Sequence, residues 1–321
     1  MPTIVYEERA YACEAGESVL DCLMRYGVLL PSSCQTGVCQ TCMMHAIDGD
    51  IPEEAQKGLK DTLKVQGYFL ACVCKPDDDM EIRQADTEGR RHEGAVSALD
   101  RLNASVVRLR LRPKNPLPYQ AGQFINLIHQ NVIRSYSVAS LPQEGELELH
   151  IKLVPDGRMS SWVHQELQVD DPIAFYGPAG DCFYVPGNRD QPLLLVGTGT
   201  GLAPLYGILR DAISQGHTGA IHLFHGSLHR DGLYMVDVLQ QLAADHDNIR
   251  YTPCVLHGDV PAGGAVGSID DVVLRAIPDL AGWRAYLCGD PEIVRKLQGR
   301  VFLAGAAMQE IYADAFTFTP H

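Results

Sequence analysis

The chain has 321 residues, of which 46% are hydrophobic and 21% charged; these proportions exclude disordered and fibrous classes, and the length points to two or three domains rather than one core. A formal charge of −14 argues against a nucleic-acid partner, because phosphate contacts need clustered Lys and Arg. The start, MPTIVYEERA, is acidic where a secretory signal is basic and then apolar, and no apolar run approaches the roughly 18 to 20 residues of a membrane span. A cytoplasmic protein without membrane insertion is expected, in which cysteines stay mostly reduced.

Seven of the ten cysteines fall within the first 74 residues, and residues 1 to 86 hold 15 Asp and Glu against 7 Lys and Arg. This first segment is chemically distinct. Cys34, Cys39 and Cys42 give C-x4-C-x2-C, and Cys72 follows after 29 intervening residues, the spacing of a plant-type 2Fe-2S site. Each iron of such a cluster takes two protein thiolates beside two bridging sulfides, so four ligands are needed, three of them on one tight loop. Ser32, Ser33, Thr36, Gly37 and Thr41 are small enough to let backbone N–H groups approach sulfur. A structural zinc site is the rival reading; it favours paired C-x2-C knuckles, and only one is present. Cys72 and Cys74 would point the same way in a strand, and the spacing favours Cys72. Cys13, Cys22, Cys182 and Cys254 read as core residues. The run PSSCQTGVCQTC with LAC at Cys72 resembles the plant-type ferredoxin family, which implies a β-grasp fold over residues 1–88.

QADTEGRRHEG, residues 84 to 94, is polar, with two glycines and no apolar periodicity, and reads as a linker. After it, Val107, Leu109 and Leu111 alternate with arginines, and Leu147, Leu149, Ile151 and Leu153 with charged or polar residues. Period-two runs between Pro and Gly turns predict an antiparallel β-barrel over 95–188. Within it RSYS (Arg134, Ser135, Tyr136, Ser137) follows the strand AGQFINLI, and GRMS (Gly157 to Ser160, with Met159) opens a short helix. A helix start behind a glycine offers unpaired N–H groups to a pyrophosphate. Arg134 can add counter-charge, Tyr136 a flat face and Ser137 a hydroxyl.

From PLLLV onward, short apolar runs at AIHLF and RAYLC alternate with helical stretches, predicting a parallel α/β domain over 189–321. GTGTGLAP carries Gly197, Thr198, Gly199, Thr200 and Gly201 between a strand and a helix; it departs from G-x-G-x-x-G, and no acidic residue marks a ribose some 20 residues on. A second turn holds Cys288, Gly289, Asp290 and Pro291.

R-x-Y-S with G-x-x-S, and the glycine run with CGDP, resemble the ferredoxin-NADP reductase superfamily. That resemblance implies FAD on Arg134, Tyr136, Ser137, Gly157, Met159 and Ser160, with His150, Ile151 and Lys152 also lining the flavin. It implies a nicotinamide nucleotide on residues 197–201 and 288–291, with Cys288 by the nicotinamide ring and Asp314 or Phe316 by the flavin. NADH is favoured over NADPH by the resemblance only, since Ser227, His229 and Arg230 stand where a 2′-phosphate is read. The order ferredoxin, flavin, nicotinamide is similar to the reductase components of naphthalene and benzoate dioxygenases, and implies an oxidoreductase in which FAD converts a two-electron hydride into the single electrons that a cluster accepts. The acceptor implied is a terminal oxygenase or a ferredoxin. The same layout serves diiron monooxygenase and deoxysugar dehydrase reductases; a stand-alone NADH-dependent reductase of quinones or ferric complexes and a non-catalytic redox sensor are the other readings.

Overall fold

The computed structural model describes residues 2–28, 30–32, 34–37, 40–85 and 91–316. The chain forms two compact units, residues 1–87 and 88–321.

The first unit carries β1 (Thr3–Tyr6), β2 (Arg9–Ala12), α1 (Val19–Arg25), β3 (Met43–Asp48), α2 (Asp61–Val65), β4 (Tyr68–Leu70) and β5 (Met80–Gln84). The strands run in the order β2-β1-β5-β3-β4, with β1 and β5 parallel and the other pairs antiparallel. This is the β-grasp arrangement. Ser18 starts α1, its hydroxyl accepting from the Asp21 N–H at 3.1 Å as an N-cap. The helix lays Val19, Leu20, Cys22 and Leu23 against a core that includes Ile4, Met44, Phe69, Leu70 and Ile82.

The second unit begins with β6 (Arg91–Arg101), β7 (Val106–Pro113), β8 (Phe124–His129), β9 (Val132–Ser137), β10 (Leu147–Lys152), α3 (Arg158–Gln165) and β11 (Pro172–Ala179). These strands form an antiparallel sheet in the order β10-β7-β6-β11-β8-β9. A bridge between Val138 and Leu149 joins its two edges and closes the barrel, which removes the exposed strand edge. The alternation read in the sequence is the inside of this barrel: Val107, Leu109, Leu111, Leu147, Leu149 and Ile151 lie in one core. Pairing starts at Arg91, inside the stretch expected to be linker, because the polar residues 91–94 sit opposite 113 and 173–176 as ladder partners; backbone pairing does not require apolar side chains.

The rest of this unit is β12 (Leu193–Thr198), α4 (Leu202–Ser214), β13 (Ile221–Ser227), α5 (Val236–Asp245), β14 (Ile249–Val255), β15 (Ala265–Val266), α6 (Ile269–Ala276), β16 (Arg284–Gly289), α7 (Pro291–Leu303) and β17 (Ile311–Ala315). All six strands are parallel, in the order β15-β14-β13-β12-β16-β17. Helices α4 and α5 pack on one face and α6 and α7 on the other. The order reverses between β12 and β16, and a crevice opens at the carboxyl ends of those strands, where ligands bind in doubly wound sheets.

Barrel and sheet share a core: Val106, Cys182 and Tyr184 pack with Leu195, Leu202 and Tyr286. Arg210 of α4 reaches across to the Glu144 carboxylate at 2.5 Å and the Ala139 carbonyl at 2.6 Å. Among the described residues no helix is long and apolar enough to cross a membrane.

Candidate functional site

In the first unit, Ala71 to Val73 form a turn after β4 rather than a strand. The N–H groups of Val73 and Cys74 both donate to the Leu70 carbonyl at 3.1 Å, which sends residues 72 and 74 different ways. Cys74 is fully buried in the core. Cys72 is only half-buried and meets the cysteine loop: burial, then a hydrogen bond with Cys42, then the Cys42 and Cys34 charges push its thiol up to about 11, while the Gly37 N–H favours the thiolate. Cys34 lies at the surface of the same loop, its sulfur accepting from the Thr36 N–H at 3.4 Å. Gly37 has φ +78°, and a Cβ there would lie 3.3 Å from Val73 Cγ2, so the loop needs glycine at this point. Cys39, which the spacing also selects, and Ser33, one of the small loop residues, lie outside the described residues. Three thiols within each other's electrostatic reach, with backbone N–H groups aimed at two of them, fit a thiolate-held cluster.

In the second unit, RSYS occupies β9 and GRMS starts α3, and the two elements pack together. Arg158 ties them further through Asn131 Oδ1 at 2.7 Å. A Cβ on Gly157 would lie 2.6 Å from Ser160 Oγ, so the chain stays close at the helix start. The Ser160 hydroxyl accepts from the Val154 N–H at 3.1 Å and donates to the Gly157 carbonyl at 3.1 Å; it builds the turn. Met159 points into the barrel core. What these residues offer a pyrophosphate is therefore the free N–H groups of the first helical turn; Arg134, on the adjoining strand β9, donates to the Ile133 carbonyl at 2.8 Å. Tyr136 packs partly against the barrel, and burial raises its phenol, which keeps it a neutral flat surface.

The β10 residues divide differently from the expectation. Lys152 is exposed, while His150 and Ile151 are buried. Ile151 belongs to the barrel core. The His150 ring spans Glu148 Oε1 at 3.0 Å and the Tyr234 hydroxyl at 3.1 Å, facing the nicotinamide half of the unit. Successive residues on a strand face opposite ways: Ile151 enters the barrel core and His150 packs on Tyr234, so these two have only their backbone left to line a flavin.

The two glycine motifs interlock at the switch point. A Cβ on Gly201 would lie 2.3 Å from the Cys288 carbonyl oxygen, and one on Gly289, at φ +118°, 2.5 Å from Thr198 Oγ1. Thr198 Oγ1 accepts from the Asp290 N–H at 3.0 Å. The Asp290 carboxylate caps α7, accepting from the Glu292 and Ile293 N–H groups at 3.0 and 3.1 Å, with Pro291 at the first helical position. Gly201→Ala is expected to cost about 1 to 3 kcal/mol or more through overpacking of backbone, read as a lower melting temperature together with lost nucleotide affinity. Gly199→Ala, at φ +54° in open space, should cost only about 1 kcal/mol of backbone strain.

At the crevice three residues from distant parts of the chain meet. Ser137 ends β9, and its hydroxyl donates to Asp314 Oδ2 at 2.7 Å. Asp314 stands beside Cys288 in the parallel register of β17 and β16. The Cys288 sulfur is buried 3.8 Å from the Cys182 sulfur, and burial, then the Cys182 thiol, raise its thiol well above the usual range; it is a neutral, compact wall rather than a nucleophile. Burial pushes the Asp314 carboxyl up to about 6, the Ser137 hydrogen bond opposing and Asp181 adding to the rise. Phe316 is half-buried, its N–H donating to the Gly289 carbonyl at 2.8 Å. Cys182 reads as core from the sequence, and neither Tyr234 nor His225 carries a sequence signal, because none of the three sits in a recognisable local pattern.

Known proteins match this architecture in the same order. Residues 3–77 match the 2Fe-2S iron-sulfur cluster binding domain, 96–184 the oxidoreductase FAD-binding domain and 195–298 the oxidoreductase NAD-binding domain. The chain is 35% identical over 309 residues to the ferredoxin–NAD(P)+ reductase component of the naphthalene 1,2-dioxygenase system of Pseudomonas putida, covering 94% of each chain. It is 32% identical to the reductase component of phenol 2-monooxygenase from Pseudomonas sp. (strain CF600), covering 94% of this chain and 91% of that one. Among solved structures, an Amycolatopsis cytochrome P450 reductase superposes with a TM-score of 0.69 at 28% identity, covering 98% of this chain and 99% of that one. The chain belongs to the family of NAD(P)H-dependent ferredoxin reductase components, oxidoreductases that carry a 2Fe-2S domain, an FAD domain and a nicotinamide-nucleotide domain on one polypeptide.

Proposed function

We propose that this reductase works in the cytoplasm as the electron supplier of an oxygenase, feeding a terminal oxygenase or an intervening ferredoxin from NAD(P)H. The domains assigned to this work are 1–88 for the cluster, 95–188 for FAD and 189–321 for the nicotinamide nucleotide. Cys34, Cys39, Cys42 and Cys72 hold the cluster. Arg134, Tyr136, the first turn of α3 and the backbone of β10 hold FAD, and residues 197–201 with 288–291 hold the nicotinamide nucleotide. When bound, FAD supplies the conversion of a two-electron hydride into single electrons that the cluster carries.

The observation that carries this reading is the Ser137–Asp314 contact of 2.7 Å, which joins the flavin strand to the nicotinamide sheet beside Cys288. Ser137 then presents its hydroxyl at the flavin edge, and Cys288 walls the nicotinamide side. The interlocked glycines keep the dinucleotide backbone close to the strand ends. Binding both rings here excludes water and fixes their approach, the part of the rate a protein supplies by positioning.

The test compares acceptors. NADH-reduced protein is mixed with a purified oxygenase or ferredoxin acceptor, and separately with a quinone and a ferric complex. The expected result is that Cys42→Ser abolishes transfer to the protein acceptor and spares ferric reduction. Equal turnover of small acceptors with no response to any protein acceptor overturns the reading in favour of a stand-alone reductase.

A further inference from the structure

The GTGTG loop is held from behind by a histidine that no motif marks. His225, near the end of β13, is fully buried, and its Nε2 lies 3.2 Å from the Gly199 carbonyl. A carbonyl only accepts, so Nε2 carries the proton. Burial pushes this imidazole down to about 4, with the Gly199 carbonyl opposing and the neighbouring His150 adding to the fall; the ring is neutral at physiological pH. Its Nδ1 has no hydrogen-bond partner among the described residues, so Gly199 is the one polar group that orients it. An imidazole is an unfavourable choice for this place: a buried polar atom without a partner is destabilising, which an apolar ring of the same shape avoids.

The contact does not end at His225. Tyr234 is buried between two histidines, edge-on to His225 with centroids 5.3 Å apart at 81°, and edge-on to His150 at 5.3 Å and 84°. His150 belongs to flavin strand β10. Its Nε2 faces Glu148 Oε1 at 3.0 Å. Burial lowers the imidazole against the pull of Glu148. On the carboxylate, burial is outweighed by the hydrogen bond from His150 and by the Arg108 and Arg210 charges, and the net shift is downward. A neutral His150 therefore donates from Nε2 and leaves Nδ1 to accept from the Tyr234 hydroxyl. Met235, next in the chain, sits at φ 57°, a left-handed conformation unfavourable for a non-glycine residue. It turns the chain so that Tyr234 points inward just before α5.

We propose that His225 and Tyr234 are positioning residues for hydride delivery: they clamp the carbonyl of Gly199 in the pyrophosphate loop to His150 of the flavin strand, so that the nucleotide and flavin sites are held in one register. The clamp rests on the assignment of residues 197–201 to the nicotinamide nucleotide. It acts on the loop through the Gly199 carbonyl. Losing the Gly199 bond frees a positive-φ glycine in a loop whose N–H groups must converge on a pyrophosphate, and a small misplacement there is felt at the reacting atoms.

The test uses the full-length, FAD-loaded protein with His225→Phe, His225→Gln and Tyr234→Phe. NAD+ affinity is read by equilibrium titration, amide hydrogen exchange over residues 197–201 by mass spectrometry, and flavin reduction by anaerobic stopped flow. His225→Phe is expected to raise exchange in that segment, weaken NAD+ about tenfold and slow flavin reduction at saturating NADH about tenfold, a positioning loss. His225→Gln, which keeps an N–H toward Gly199, should restore most of both, and Tyr234→Phe should slow reduction more than it weakens NAD+. If His225→Phe fails to fold, Tyr234→Phe decides. Wild-type exchange and wild-type rates in His225→Phe, or a wild-type reduction rate in Tyr234→Phe where His225→Phe does not fold, overturn the clamp, as does slowed reduction in His225→Phe with unchanged exchange over 197–201. A wild-type protein that neither binds NAD+ nor oxidises NADH defeats the nicotinamide assignment instead.

Discussion

Cys72→Ser is expected to abolish the visible absorption and EPR signal of the iron-sulfur cluster, while Cys74→Ala leaves both intact. The turn at Ala71–Val73 separates the two thiols. Cys72 hydrogen-bonds to Cys42 and feels Cys34, whereas burial alone raises the Cys74 thiol to about 12, inside the hydrophobic core. Removing one of four thiolates leaves an iron without its ligand, and because such a site contributes to folding, the variant should also melt earlier. Cys74→Ala removes one buried sulfur and should cost roughly 1 kcal/mol, at the low end of cavity-forming changes. Iron quantitation on both purified variants checks this; a cluster retained by Cys72→Ser and lost by Cys74→Ala would reverse the ligand assignment.

The second large effect is expected at Asp314. A nicotinamide gains positive charge as it gives up hydride, and a carboxylate fixed beside Cys288 favours that charge where water is excluded. With the carboxyl pushed up to about 6, the ionised form dominates above that pH and the protonated form below it. Flavin reduction by NADH should fall about tenfold from pH 8 to pH 5, the size of one charge-stabilising contact. Asp314→Asn should be slow at every pH and show no transition near 6. The same shift has a stability consequence of opposite sense. A carboxyl raised from the usual 3.8 to about 6 favours the folded state while it is protonated; this contribution is full below the unfolded value and is lost as pH rises through the folded one. Asp314→Asn should therefore gain melting temperature relative to wild type above pH 6 and not below pH 4. Rate profiles and melts at matched pH values check both; a parallel pH profile in wild type and variant would remove Asp314 from the chemistry.

What could be read from the residues alone was whatever is local in sequence. The C-x4-C-x2-C loop, R-x-Y-S and the glycine run each concentrate their chemistry within a few positions, and period-two alternation gave the barrel interior, as Leu109 and Leu149 illustrate. The choice between Cys72 and Cys74 was not legible as geometry, because it depends on two N–H groups sharing the Leu70 carbonyl. Met159, His150 and Ile151 match motif positions, yet their side chains serve the protein interior; a motif selects a position and does not say whether backbone or side chain is used. The Ser137–Asp314 contact joins residues 177 apart, and the Gly199–His225–Tyr234–His150 chain crosses from one sheet to another. Neither leaves a spacing to find. Asp290 and Thr198 likewise act on neighbouring backbone, as a helix cap and a loop brace, which residue type alone does not distinguish from ligand binding.

The most direct measurement is an anaerobic NADH titration of the purified protein followed by visible absorption and low-temperature EPR. Bleaching of the flavin band together with a rhombic two-iron signal, both complete with NADH as sole reductant, is the expected result, and it establishes that electrons entering at the Ser137–Asp314 crevice reach the Cys34–Cys42–Cys72 site. Flavin bleaching with no cluster signal, in protein shown to contain iron and sulfide, would contradict the account and leave a plain flavin reductase.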